Sequence, residues 1–263
     1  MYNKEQHLFV IESFLSDVNQ KRDNPYILKG GTALSLCYKL NRFSEDIDLD
    51  VASDNTWKGR FFKEIEQFCN KNGYSYRISK DTATTQRAYI DYGNIGRPLK
   101  VEVSYRRRII PNEVVCQKRG IQVYTLDEMA KLKAAAYSGR DKIRDLYDVA
   151  YICTHFYDQL SISARDALRT ALEYKEMSQF DYIVETQKDE LINVDTLETM
   201  FLQSFDKLGL MNPRSDDEYS YQGISQEHTT EKKVSLSDEV SSMRDASKEL
   251  SNETILNHDE LER

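Results

Sequence analysis

This chain has little of what marks a secreted, membrane-bound or zinc-stapled protein. It carries four cysteines in 263 residues, at Cys37, Cys69, Cys116 and Cys153, with no Cys-x-x-Cys pair among them. That spacing argues against a zinc site and a disulfide framework. It predicts a reducing, cytoplasmic setting in which the cysteines are small apolar fillers. No run approaches the roughly 18–20 apolar residues of a membrane helix. The segment Met1–His7 is polar with no long apolar stretch behind it, so no signal peptide is expected. Two phosphate-binding fingerprints are also missing: Gly-x-Gly-x-x-Gly is absent, and no Gly-Lys-Ser/Thr completes a Walker A loop. No internal repeat is visible. The histidines, among them His7, His155 and His228, are scattered and take no role.

What the chain has is charge, unevenly placed. The net charge is −8, but residues 211–263 hold 6 Lys and Arg against 13 Asp and Glu, a net of −7. Between Arg97 and Arg144 there are 12 basic and 5 acidic residues, a net of +7. A basic segment inside a nearly neutral body suits a phosphate-bearing partner, although a solvated charged face has the same composition.

The pattern along the chain changes twice. Leu8, Ile11, Phe14, Leu15 and Val18 recur at helical spacing, so 2–20 is an expected amphipathic helix. A short strand at Tyr26–Lys29 runs through two glycines into a helix at 32–40. Acid and apolar residues then alternate over Asp46–Ala52, a strand. Trp57, Phe61, Phe62, Ile65 and Phe68 predict a helix over 56–72, stopped by Gly73. Strands are expected at 74–79, 87–92, 99–106 and 121–124. Thr125 then caps a helix over 126–136, and further helices follow at 142–156, 162–174 and 197–208. The fold class is therefore α+β, a mixed sheet flanked by helices and followed by helix. The expected units are 1–125, a catalytic domain, 126–210, a helical domain, and 211–263, an acidic tail. The stretch 215–262 is rich in Ser, Asp, Glu and Lys, and it is expected to be disordered or weakly helical near 237–250.

Four groups of residues suggest chemistry. Asp46 and Asp48 sit at i and i+2 on a strand, so they share one face while Ile47 and Leu49 fill the other. Two neighbouring carboxylates repel unless a cation lies between them, and Mg²⁺ binds through one or two carboxylates plus substrate phosphates. Upstream, Lys29-Gly30-Gly31-Thr32 lets the backbone turn sharply into a helix whose free N–H groups favour phosphate. Glu102, flanked by valines, is either a third acid on the Asp46/Asp48 face or an outward-facing residue. Three acids would hold two ions that clamp an in-line phosphoryl displacement. Last comes the segment from Asp127 to Asp148. There Lys131 stands where a cation can reach a triphosphate, Asp145 and Asp148 share a helix face, and Arg140 and Arg144 can clamp phosphate or pair with these acids. Arg-Asp-Leu-Tyr-Asp also reads as a structural ion-pair knot, more so for Asp148 than for Asp145.

Gly-Gly-Thr-Ala-Leu, Arg-Phe-Ser-Glu-Asp-Ile-Asp-Leu, a Lys-Leu-x-Ala helix and Arg-Asp-Leu-Tyr-Asp occur in that order over residues 26–156. In this the chain resembles the AbiEii family of nucleotidyltransferase-like toxins, within the DNA polymerase β-like superfamily. The resemblance implies a minimal nucleotidyltransferase fold. It makes Gly30, Gly31 and Thr32 the phosphate turn, with Arg42 and Ser44 also nucleotide-binding. It assigns Asp46 and Asp48 to the metal, Lys131 to the family's lysine and Asp145 to its late acid. Lys133 competes with Lys131, and the turn has Gly-Thr where many relatives have Gly-Ser. The implied activity is Mg²⁺-dependent transfer of a nucleoside monophosphate from a nucleoside triphosphate to RNA, with the 3′ end of tRNA a candidate acceptor. The implied partner is a cognate antitoxin. The alternatives are nucleotidylation of a protein or small molecule, and a nucleotide- or RNA-binding module without catalysis.

Overall fold

The alternation Asp46-Ile47-Asp48-Leu49-Asp50 becomes the middle strand of a seven-stranded sheet in the computed structural model. Residues 3–52, 55–93, 97–175 and 177–211 are described. The elements in chain order are α1 (Lys4–Asn19), β1 (Ile27–Lys29), α2 (Gly30–Tyr38), β2 (Asp46–Asp50), α3 (Asn55–Asn72), β3 (Ser75–Asp81), β4 (Thr85–Asp91) and β5 (Leu99–Ser104). They continue with β6 (Val115–Lys118), β7 (Ile121–Tyr124), α4 (Leu126–Gly139), α5 (Ile143–Phe156), α6 (Ile162–Lys175), α7 (Ser178–Thr186) and α8 (Val194–Lys207). The strand order is β3-β4-β5-β2-β1-β7-β6. β2 runs parallel to β5 and β1 to β7, and the other neighbours are antiparallel. The fold is thus α+β with a mixed sheet.

One sheet face is core. Ile47, Leu49, Val101, Val103, Ala88 and Ile90 are buried there, and burying each large aliphatic side chain contributes about 1.5–3 kcal/mol. α1 contributes Val10, Ile11, Phe14, Leu15 and Val18 to the same core, the stripe its spacing predicts. Asn3 caps α1 by accepting from Gln6 N at 3.0 Å. Thr125 caps α4 by accepting from Glu128 N. Gly73, with φ +70°, follows α3 and ends it. The side chain of Trp57 lies outside the described residues, as do the expected disorder of 215–262 and the weak helix near 237–250.

Two elements differ from expectation. β6 pairs with β7 through a two-residue turn in which Arg119 (φ 53°) and Gly120 (φ 76°) are both left-handed. That turn type suits a hairpin, but Arg-Gly lacks the Asn-Gly or Asp-Gly signal. α7 is nine residues long and buries only Phe180 and Ile183, too few to show a period. The described residues pack as one unit. The change of composition at 125/126 therefore falls inside one body, where α4 packs on α2, α5 and α6. Among the described residues no helix is long and apolar enough to cross a membrane. The four cysteines are free, with Cys69 and Cys153 buried and Cys37 and Cys116 half-buried.

Candidate active site

The polar face of the sheet carries two cross-strand rows of charge. In the first, the register aligns Lys29 on β1, Asp48 on β2, Glu102 on β5 and Arg87 on β4. The order is cation, anion, anion, cation. In the second, Asp46 lies opposite Lys100. Lys100 Nζ is 2.6 Å from Asp46 Oδ2 and 3.9 Å from Asp48 Oδ1, so its ammonium lies between the two carboxylates. Arg87 Nε donates to Glu102 Oε2 at 2.6 Å. Asp50, next on the same face of β2, is buried against Lys29 and accepts from the Tyr124 hydroxyl at 2.9 Å. It is spent on structure.

This electrostatic setting is strained and balanced at once. Burial pushes the Asp48 carboxyl above its usual range, Asp46 and Glu102 add to the push, and Lys100 and Lys29 oppose it. Burial alone would lower the Lys100 ammonium, but Asp48 and Asp46 outweigh burial and hold it above its ordinary value. Among the described residues no group of three or more His, Cys, Asp or Glu side chains is gathered closely enough to hold an ion. The expected three-acid cluster is instead a pair, Asp46 and Asp48, with Glu102 beside it on the same face and drawn to Arg87. Hard oxygens already bridged by a cation are a donor set that fits a divalent ion completed by substrate phosphates.

The glycine turn is packed against these acids. Gly30 has φ +77°, and a Cβ there would lie 3.2 Å from Asp48 Oδ2. A Cβ on Gly31 would lie 2.8 Å from Ser44 Oγ and 2.9 Å from Arg42 Nη2. Both positions therefore need glycine, one for conformation and one for space. Thr32 is buried, and its hydroxyl donates to the Asp46 carbonyl and lies 2.9 Å from Ser44 Oγ. It braces the turn against β2, its hydroxyl proton already given within the protein. Arg42 is also committed: its Nε and Nη2 hold the two oxygens of Asp148 at 2.8 and 2.7 Å. This buried clamp joins the segment after α2 to α5, and Arg42 also lines the cleft beside Gly31 and Asp46.

Between α4 and α5 lies the ion-pair knot. Lys133 Nζ is 2.6 Å from Asp148 Oδ2 and 3.6 Å from Asp145 Oδ1, and Arg140 Nε donates to Asp145 Oδ2 at 2.6 Å. Asp148 has no exposed surface. Two adjoining cavities, of about 460 and 350 Å³, meet here and share Gly31, Asp48, Lys133, Arg140 and Asp145 as lining. The smaller is the more charged, walled also by Ser44, Asp46, Lys100 and Glu102. The larger adds Gly30, Arg106 and the small-residue face of α4 at Ala135, Ala136 and Gly139. Lys131 lines neither. Two helical residues span about 200°, so Lys131 and Lys133 cannot face the same way, and Lys133 is the one that joins the acids.

A glycine turn braced on an Asp-x-Asp strand thus faces a lysine–aspartate knot across the cleft. The family described as nucleotidyl transferase AbiEii toxin, type IV toxin–antitoxin system, matches residues 13–224. The chain belongs to the AbiEii family. It is a nucleotidyltransferase of the toxin–antitoxin class. Among solved structures, JHP933 of Helicobacter pylori is 25% identical with a TM-score of 0.62, covering 79% of this chain and 93% of that one. MenT4, a nucleotidyltransferase toxin of Mycobacterium tuberculosis H37Rv, is 16% identical with a TM-score of 0.47, covering 80% and 85%. No curated protein matches.

Several residues that shape the site of this AbiEii chain belong to no motif. Lys100 and Arg87 matter through strands that are neighbours only in the folded sheet. Arg106 enters the larger cavity from the segment after β5. His7, given no role, is buried, with Nε2 2.7 Å from the Glu45 carbonyl and Nδ1 on the Tyr92 hydroxyl. It fixes the residue next to Asp46. Glu45 in turn pairs with Arg97 and Arg144.

Proposed function

We propose that this AbiEii chain transfers a nucleoside monophosphate from a nucleoside triphosphate to a hydroxyl of an RNA acceptor, the 3′ end of tRNA being one candidate. We further propose that the reaction uses Mg²⁺, that it takes place in the cytoplasm, and that a cognate antitoxin restrains it. The observation that carries this reading is the Asp46/Asp48 pair beside the Gly30–Gly31 turn, in a cleft lined by Lys100, Lys133 and Arg140. The scattered free cysteines support the cellular setting.

Each part of the chain has a task in that reaction. The N–H groups at the start of α2 and the hydroxyl of Ser44 receive the triphosphate. Lys133 and Arg140 offset its charge from the far side, where Asp145 orients both. Asp46 and Asp48 would hold the divalent ion, with Glu102 the nearest further acid. Bound there, an ion lowers the charge on the reacting phosphate and activates the attacking oxygen. Lys100 must leave the space between the two carboxylates and is then free to meet phosphate oxygens. Thr32, Arg42 and Asp148 hold the turn and α5 in place. A catalytically inert binding module leaves the exposed acid pair without a purpose.

Incubation with labelled nucleoside triphosphates, Mg²⁺ and total RNA tests the proposal. Wild type should label RNA and Asp48→Ala should not. Label on protein alone, or equal label from the two proteins, would overturn it.

A further inference from the structure

A third cavity, of about 540 Å³, opens beside the acid cleft and shares Arg140, Arg144 and Asp145 with it. Its other walls are Lys142 at the start of α5 and the segment Thr186–Asp189 after α7. We propose that this cavity receives the single-stranded end of the acceptor nucleic acid and feeds its terminal hydroxyl to Asp46 and Asp48. The inference rests on the transfer reading above and adds where the acceptor lies.

Charge is the first argument. Four cations line the cavity against two acids. Both acids are already claimed, Asp145 by Arg140 and Lys133 and Asp189 by Arg144. Lys142 and Lys188 are exposed and make no ion pair among the described residues. Arg140 uses only its Nε on Asp145, with the side chain 60% exposed. The uncompensated positive charge thus faces the opening, as a phosphodiester chain requires.

Rigidity is the second. Gln187 accepts from Ile143 N at 3.0 Å and donates to the Asp141 carbonyl at 2.6 Å. This stitches the segment after α7 to the start of α5. Arg144 reaches from Asp189 on one wall to Glu45 beside the acid cleft. The two cavities are therefore held at a fixed spacing by side chains that bridge them.

The third is an aromatic platform. Tyr182 is 54% exposed and lies one turn before Thr186 on α7, so the two share a helix face. An exposed ring on the helix that leads into a wall holding unpaired lysines supplies what single strands bind, a surface on which bases stack and charges that neutralise phosphates. An acidic peptide needs the lysines but not the ring.

Anisotropy of a labelled single-stranded RNA dodecamer, titrated with the full chain over a range of salt, tests the assignment. Binding of a non-hydrolysable nucleoside triphosphate and thermal melting serve as controls. Lys142→Gln with Lys188→Gln should weaken RNA binding about tenfold and reduce the salt slope by about 1.4, from two lost contacts at about 0.7 each. Tyr182→Ala should also cost about tenfold, and Tyr182→Phe should restore binding because the ring is kept. Nucleotide binding and melting should not move. Unchanged RNA affinity in both variants overturns the cavity assignment and leaves the transfer reading standing. Loss of labelling of a protein acceptor, with RNA binding intact, gives the cavity to a polypeptide and overturns it too. A wild type that binds no RNA overturns this inference and the RNA acceptor together, while its labelling of other acceptors still reports on transfer.

Discussion

Acids and bases meet on both sides of the cleft, but under different terms. On the sheet, Asp46 and Asp48 keep 43% and 36% of their side-chain surface exposed and share one lysine. Between α4 and α5, Asp148 is fully enclosed and holds Arg42 and Lys133 at hydrogen-bond distance. The sheet side is under-compensated, with Asp48 pushed toward its neutral form by burial and by its acidic neighbours. The helical side is saturated. An acid that still wants a cation is available to a ligand, whereas one already given two is part of the frame.

Breaking the frame should have the largest effect. Asp148→Ala strands Arg42 in the interior, leaves Lys133 only its longer contact with Asp145, and should cost about 3–5 kcal/mol in denaturant unfolding. Replacing all three by apolar residues of similar volume should recover much of that stability without restoring transfer. Asp48→Asn should do the reverse. Transfer should fall about 100-fold or more, while the melting temperature holds or rises as repulsion within the acid row is relieved. Activity lost together with stability in Asp48→Asn would erase the distinction between a ligand-ready acid and a framework acid.

Smaller effects sharpen the comparison. Lys100→Met should raise the affinity of the apoprotein for Mn²⁺, read by EPR without nucleotide, by about tenfold, since a unit charge near 4 Å is removed. Asp189 titrates below the usual carboxylate range: burial alone would raise it, but the hydrogen bonds from Arg144 and Leu191 N and the charges of Arg144 and Arg42 together outweigh burial. Its contribution to stability is therefore present above the ordinary carboxylate value and lost as pH falls through the depressed one. The gap in urea midpoint between wild type and Asp189→Asn should be open near about pH 6 and close below about pH 4. Last, Lys131→Ala should change stability by less than about 0.5 kcal/mol and leave transfer within twofold, whereas Lys133→Met should damage both.

Much of the acid-bearing strand was legible. Alternation put Asp46 and Asp48 on one face without any knowledge of the sheet, and the glycines before a helix marked the turn. Cross-strand chemistry was not, because Lys100, Arg87 and Glu102 meet β2 only through the order β4-β5-β2-β1, which local pattern does not encode. The choice between Lys131 and Lys133 was within reach. Lys133 lies four residues after buried Met129 and four before buried Tyr137, so helical periodicity already set it on the inner face. Thr32 and Arg42 carried the right motif, but their side chains are consumed by the Asp46 carbonyl and by Asp148. A motif names residues near a site, and burial decides whether they act or brace.

Lys100 has a consequence for the life of the molecule before it acts. A cleft that supplies its own counter-charge can fold in finished form with no bound ion holding its two acids together. Under the proposed Mg²⁺-dependent transfer, scarcity of the ion idles the protein and leaves its fold intact.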